Sequence, residues 1–231
     1  MRDQVVLVTG GTGALGAAVT LAALGAGATA VATYRDARDR DALAARVPAS
    51  DRERLHAVKA DVTDADGVRR LFDEVAARQP RLDALVNTVG GFAGGALLAT
   101  DERAWDAMLT LNLRSAYLCC RAALPAMLAA GRGRIVNVAS RSVVPPAGGF
   151  IAYTVSKAGV IALTQALAHE VRGRGVTVNA VLPSTMDTEA NRRAMPDADR
   201  SGWVRPDSVA RAILFLASDA AADVTGTLLA V

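Results

Sequence analysis

Tyr153 and Lys157, in the segment YTVSK, place a phenol and an ammonium four positions apart. On a helix that spacing sets both on one face, one turn from each other. The flanking residues are mostly Ala, Val, Ile and Leu, so two polar groups are held together in an apolar stretch. A free phenol keeps its proton up to a pKa near 10. A neighbouring cation favours the phenolate, and about 3–4 kcal/mol of such preference brings the proton into use near neutral pH. The plain alternative is a surface tyrosine beside a solvated lysine. Ser140 in NVASRS, thirteen residues earlier, and Asn112 in LTLNLRS speak against that alternative. A hydroxyl donor, an amide and an acid–base phenol together can protonate an oxygen on which negative charge develops.

A second group lies near the N-terminus. The run TGGTGALG, residues 9–16, carries Gly11, Gly13 and Gly16 in GxGxxG spacing behind Gly10, with Thr12, Ala14 and Leu15 between them. A bare GxGxxG is weak, but this one follows a strand-like run and opens a helical one, the context that a dinucleotide loop requires. Small residues let the backbone approach a pyrophosphate, and the helix N-terminus offers N–H donors and a positive dipole end. About twenty residues on, where an acid usually holds a ribose 2'-hydroxyl, stands Tyr34, followed by Arg35. A guanidinium grips a 2'-phosphate through paired hydrogen bonds, so NADP(H) is expected. In the alternative, Arg35 is a solvated loop residue and Asp36 serves NAD(H). Asp61 and Val62 close the third strand-like run, where they would meet the adenine. Asn87, with Thr88, Val89 and Gly90, closes the fourth. Either polar residue could instead be a turn or cap device.

Composition narrows the function classes. Aromatics are 4% of 231 residues and the formal charge is +3, with no basic tract, so nucleic acid is not expected as a partner. Cys119 and Cys120 are neighbours in an apolar stretch, which suits neither a mutual disulfide nor a metal site; they read as small packing residues, and no metal is expected. The N-terminus runs directly into QVVLVTG without a leader pattern, and no apolar run looks long enough to span a bilayer, so a cytoplasmic protein with no membrane partner is expected.

The elements that must position these groups alternate. Strands are expected at 4–9, 29–33, 55–59, 84–87, 134–138, 176–182 and 226–231, with helices near 14–26, 39–47, 65–78, 101–130, 152–173 and 206–218. Near-continuous apolar strands separated by helices indicate a parallel sheet covered on both faces. The fold class is therefore α/β: one doubly wound Rossmann domain over 1–231, with a seven-stranded parallel sheet. The long irregular stretch 183–205 follows the sixth strand and reads as a lid or substrate loop.

A glycine-rich loop on the first strand, then Asn112, Ser140 and YxxxK in this order, resembles the short-chain dehydrogenase/reductase family over nearly the whole chain. The segment NAVLP followed by STMDT resembles the stretch with which that family clasps the nicotinamide, bringing in Pro183, Ser184, Thr185 and Thr188. The resemblance implies that Tyr153 is general acid in reduction and base in oxidation. It also implies that Lys157 lowers the phenol's pKa and binds the nicotinamide ribose, that Ser140 donates to the substrate oxygen, and that Asn112 holds a water in the proton relay. It implies further that helices near 101–130 and 152–173 pair between subunits as a homodimer or homotetramer. These stretches carry more apolar residues than one sheet face needs, including Tyr117, Leu118 and both cysteines.

The match departs in three places. Ala14 stands where glycine is usual, Ser184 follows Pro183 where glycine is usual, and the sequence runs to Val231 without the usual glycine-containing tail, which bears on the C-terminal wall of the substrate pocket. GGTGALG, VGGFAGG (89–95) and the run LPSTMDTEANRRAMPDADRSGW (182–203) resemble one branch, dihydropteridine reductase. That branch typically lacks the serine and prefers NADH, whereas this chain has Ser140 and Arg35. Phe92, Arg141, Asn191, Met195 and Trp203 are candidate substrate contacts; Arg192 and Arg193 would suit an acidic substrate but read better as solvated. The leading expectation is an NADPH-dependent reductase of a ketone or aldehyde, with 3-oxoacyl and other β-keto compounds as substrate candidates. The alternatives are reduction of a quinonoid pterin and a non-catalytic NADP(H) sensor.

Overall fold

Alternate residues of the strands face opposite ways, and here both faces are apolar. In the computed structural model, which describes residues 1–79 and 81–231, the parallel strands are β1 (Val5–Thr9), β2 (Thr29–Tyr34), β3 (Leu55–Lys59), β4 (Ala84–Asn87), β5 (Gly133–Val138), β6 (Val176–Leu182) and β7 (Leu228–Ala230). They form one seven-stranded sheet in the order β3-β2-β1-β4-β5-β6-β7. Helices α1 (Ala14–Gly25) and α8 (Pro206–Ala217) cover one face, where Val6, Val8, Val86, Val136 and Val181 meet Leu15, Val19, Val209, Ile213 and Leu216. On the other face Leu7, Val31, Leu85, Ile135 and Val178 meet α3 (Ala65–Arg78), α5 (Ser115–Ala129) and α6 (Ile151–Glu170). The doubly wound sheet is as expected.

Local chemistry sets the helix starts. Asp36 caps α2 (Ala37–Arg46), Asp64 caps α3 and Asp101 caps α4 (Glu102–Met108), each accepting from a backbone N–H of the first turn. In α3 the buried Val68, Leu71 and Val75 recur at helical spacing on an otherwise polar helix. The chain passes outward from β1 to β3 and then crosses back to β4. This makes the β1–β4 boundary the point where strand order reverses, the place beyond the carboxyl ends where open α/β sheets bind ligands.

The structure corrects the expected outline in several places. The single helix expected over 101–130 is broken by a π-helical segment, Leu109–Arg114, between α4 and α5. One extra residue per turn re-aims the side chains there, and Asn112 lies at its centre, buried. The lid region contains a short helix, α7 (Glu189–Ala194), too brief to show a period in sequence. The last strand is only Leu228–Ala230. Helix α6, at 20 residues, is long and apolar enough to cross a membrane by length and composition, contrary to the expectation that no run is. Here it lies against the sheet through Val160, Leu167 and Ala168. Finally, Leu118, Cys119 and Cys120 are not surplus on a helix surface. They point at the sheet and are buried, and only Tyr117 of that group is exposed. Burial pushes both thiols well above their ordinary pKa, to about 12 for Cys120.

Candidate active site

The loop between β1 and α1 is shaped by contacts that exclude side chains. Gly10 has φ +65°, and its N–H donates to the Thr33 hydroxyl at 2.8 Å. A Cβ on Gly16 would overlap the carbonyl oxygen of Gly10, and one on Gly11 would lie 2.6 Å from the Cβ of Ala32. Gly13 is different: it is exposed, and a Cβ there would meet only the Gly10 oxygen, at 3.4 Å. Gly13 caps α1 without a side chain, so the first N–H groups of that helix have no capping partner from one. An open, uncapped helix N-terminus behind a closely packed glycine turn fits a pyrophosphate. Thr12 is half-buried, Leu15 is buried in the core, and Ala14, in place of the usual glycine, is exposed where a methyl group meets no obstacle.

At the end of β2, Asp36 and Arg35 differ in their surroundings. Asp36 is committed to capping α2, accepting from the N–H of Arg38 at 2.9 Å and pairing with its guanidinium at 2.7 Å. Tyr34 lies under the Arg40 guanidinium, 5.5 Å from its ring centroid. Arg35 is exposed and makes no ion pair among the described residues. Its charge reaches Asp61, whose carboxyl is held below the ordinary range first by the hydroxyl and N–H of Thr63 and then by Arg35. Asp61 is thus in part a turn device, with Val62 buried behind it. The Asn87 side chain points inward, not toward a ligand: Thr9 Oγ1 donates to its Oδ1 (3.4 Å), and its Nδ2 donates to Asn137 Oδ1 (2.9 Å). Asn137 Nδ2 then donates to Thr164 Oγ1 on α6 (2.9 Å). Only the backbone of Asn87 remains for a ligand. Thr88 Oγ1 donates to Thr9 O at 2.6 Å, binding the β1 and β4 loops, while Val89 stands beside Gly10 and Gly90 is exposed.

The second group gathers at the carboxyl ends of β4 and β5. Tyr153 and Lys157 lie on α6 as the spacing predicts, Tyr153 partly exposed and Lys157 buried. Lys157 Nζ donates to the Val138 carbonyl at 2.8 Å. The Asn112 side chain is a brace: its Oδ1 accepts from the N–H of Gly91 at 2.9 Å, and its Nδ2 donates to Gly91 O at 3.1 Å and Ser156 Oγ at 3.0 Å. Through these bonds the side chain positions the Gly91 loop against α6. A Cβ on Gly90 would sit 2.7 Å from Asn112 Oδ1 and 3.0 Å from Lys157 Nζ, so a side chain there would displace both polar groups. The hydroxyls of Ser140 and Ser142 lie 2.9 Å apart. Ser156 and Phe150, which the spacing argument passes over, belong to this group; Ser156 lies inside the YxxxK segment itself.

Segment 183–205 is tied to the ends of its neighbours and to itself. The Arg141 N–H donates to Pro183 O, Ser184 N–H to Val231 O, and Thr185 O accepts from Val204 N–H. Thr188 caps α7 through Asn191, whose Nδ2 donates to Met186 O. Arg192 forms a bidentate pair with Asp187 and Arg193 pairs with Glu189, as solvated arginines would. Trp203 is stacked by Arg200, and Met195 is exposed.

Electrostatics differ from the expectation drawn from spacing. Burial raises the Tyr153 pKa above its ordinary value, with the Ser140 hydroxyl acting in opposition. The Lys157 ammonium is directed to the Val138 carbonyl. Burial also pulls Lys157 down to about 8. In the unfolded chain the amine keeps its proton up to about 10.4. Between those values the unfolded state binds more protons, so stability rises with pH. The burial cost is present in full below about 8 and is relieved as pH climbs through that value. Lys157→Met is therefore expected to be more stable than the parent at neutral pH by about 1–3 kcal/mol. In urea titrations this advantage should shrink toward about pH 9.5; an advantage independent of pH would mean that the ammonium is not the costly group.

Known proteins place this geometry. Residues 4–199 match the model of the short chain dehydrogenase family. The chain is 38% identical to D-threitol dehydrogenase from Mycolicibacterium smegmatis, over 98% of this chain and 90% of that one. It is 37% identical to 3-oxoacyl-[acyl-carrier-protein] reductase from Synechocystis, over 98% and 94% respectively, and 31% identical to the Thermotoga maritima protein of the same name, over 100% and 97%. With its dinucleotide-type loop at the strand-order reversal and its Tyr153–Lys157 pair on α6, the chain belongs to the short-chain dehydrogenase family of oxidoreductases, whose members use nicotinamide cofactors.

Proposed function

We propose that this chain is an NADPH-preferring reductase of a ketone or aldehyde, with Tyr153 as the proton donor. The observation that carries this reading is the convergence of Ser140, Tyr153 and the buried Lys157 at the carboxyl ends of β4 and β5, beside the glycine loop. The bound reduced nicotinamide supplies a hydride to the carbonyl carbon, and its oxidised form adds positive charge near the phenol. Tyr153 gives its proton to the carbonyl oxygen as charge develops there, and Ser140 donates a hydrogen bond to the same oxygen. Lys157, still mostly an ammonium at neutral pH, would stabilise the resulting phenolate and would hold the nicotinamide ribose. Asn112 and Ser156 hold the Gly91 loop against α6, fixing the distance between donor and substrate. A 3-oxoacyl or related β-keto compound suits this chemistry, in line with the name that two of the relatives carry.

The preference for NADPH rests on Arg35 and Asp36 together. The acid that would hold a ribose 2'-hydroxyl is engaged by α2 and Arg38, and the guanidinium next to it has no protein partner among the described residues. Pairing between subunits is proposed on the outer side of α4, the π-helical segment, α5 and α6. A groove of about 510 Å³ lies there, lined by Leu109, Leu113, Tyr117 and Leu163 with Asp106 and Arg114. Apolar residues flanked by opposite charges suit a self-complementary contact.

Tyr153→Phe is expected to lower turnover of a β-keto ester by about 10²–10⁴-fold while a fluorescence titration still shows NADPH bound; undiminished turnover would put the proton donor elsewhere. Arg35→Glu should raise KM for NADPH by roughly 10–100-fold and move KM for NADH far less. An equal change with both cofactors would remove the 2'-phosphate assignment. Sedimentation should give a dimer or tetramer that Tyr117→Arg shifts toward monomer, whereas a monomeric parent protein would exclude the pairing.

A further inference from the structure

The rings of Phe92 and Phe150 gather around that of Tyr153. The Phe92 ring lies 5.0 Å from that of Tyr153 in an edge-on arrangement and 5.6 Å from that of Phe150, and Phe150 lies 6.0 Å from Tyr153. Phe92 comes from the loop after β4 and Phe150 from the entry to α6. Backbone bonds lock those segments together: Gly95 N–H donates to Gly149 O at 2.8 Å, and Ile151 N–H donates to Gly95 O at 3.0 Å. The wall is therefore built into the backbone.

Phe92 is nevertheless 64% exposed. A ring whose task was only to pin its loop would be covered, since burying such a side chain contributes about 1.5–3 kcal/mol. Held open at the reaction centre, it offers an aromatic face to whatever flanks the reacting carbonyl. Hydroxyls placed against that face would lose water and gain no partner. On the segment after β6, Arg192 and Arg193 pair with Asp187 and Glu189, and Arg200 lies over the Trp203 ring.

Resting on the carbonyl-reductase reading above, we infer that the group next to the reacting carbonyl is a flat, aromatic ring. It stacks on the open side of Phe92 with Phe150 behind it. A polyol or an unbranched acyl chain would use this wall less well.

The test compares kcat/KM, with NADPH, for ethyl benzoylacetate and for a linear ethyl β-keto ester of the same carbon count. The ring substrate should be favoured about 3–10-fold by the parent protein, the range that aromatic contacts supply. Phe92→Leu, which keeps apolar bulk and loses the ring, should bring the ratio near one, and Phe92→Tyr should retain it. Turnover of both esters without a ring preference, or a preference that survives Phe92→Leu, overturns this inference and leaves the reductase reading standing. No turnover of either ester overturns the reductase reading and this inference with it.

Discussion

The site depends on one costly act, the burial of the Lys157 ammonium under the carboxyl edge of the sheet. An isolated ammonium in such a place would give up its proton. With a pKa pulled down only to about 8, Lys157 stays mostly charged at neutrality, and it donates to the Val138 carbonyl, at the end of β5, at 2.8 Å. That bond fixes α6 against β5, and with it the position of Tyr153 one helical turn away. Gly90 is bare because Lys157 and Asn112 already fill the space that its side chain would occupy. The π-helical turn at Leu109–Arg114 follows from the same packing, since it carries Asn112 inward to join Gly91 and Ser156.

Beneath this layer runs a buried polar chain from Thr9 through Asn87 and Asn137 to Thr164. It joins β1, β4 and β5 to α6, the same elements that carry the glycine loop and the Tyr153–Lys157 pair. Buried amides satisfied by one another cost little, but each left without its partner would cost about 1–3 kcal/mol. The chain therefore holds one register between strands and helix, where apolar packing alone tolerates small slips. In this way the strand-order reversal and the chemistry on α6 keep a constant separation.

Much of this was legible in the sequence because it rests on local spacing. Near-continuous apolar strands, GxGxxG after a strand, and Tyr153–Lys157 at helical spacing each specify an element and a face. The residues that escaped notice act through space. Asn137 in RIVNV looks like a strand residue of no consequence, and only the pairing of β4 with β5 brings it to Asn87. Asn87 itself ends a strand, as a ligand contact would, yet it faces inward; sequence does not tell which way an alternating residue turns when both faces are buried. The π-helical segment has no spacing of its own, because the residues on both sides of it read as one continuous helix. The apolar Leu118, Cys119 and Cys120 were read as surplus because the sheet surface that α5 covers cannot be measured along the chain.

The two titrating groups share a cause and shift in opposite directions. Burial raises the Tyr153 phenol and lowers the Lys157 ammonium, because in both cases it disfavours the charged form. The protein alone therefore keeps the phenol protonated, which is the form that a proton donor to a carbonyl must have before the reaction. A tyrosine already ionised by its lysine would have nothing to give. The expected lowering by the ammonium and an oxidised nicotinamide is thus opposed by burial in the protein alone, and any acidity must be delivered as charge moves at the nicotinamide and the carbonyl. The low-dielectric setting then works in the reaction's favour, since each charge that forms there interacts more strongly with Lys157 than it would in water.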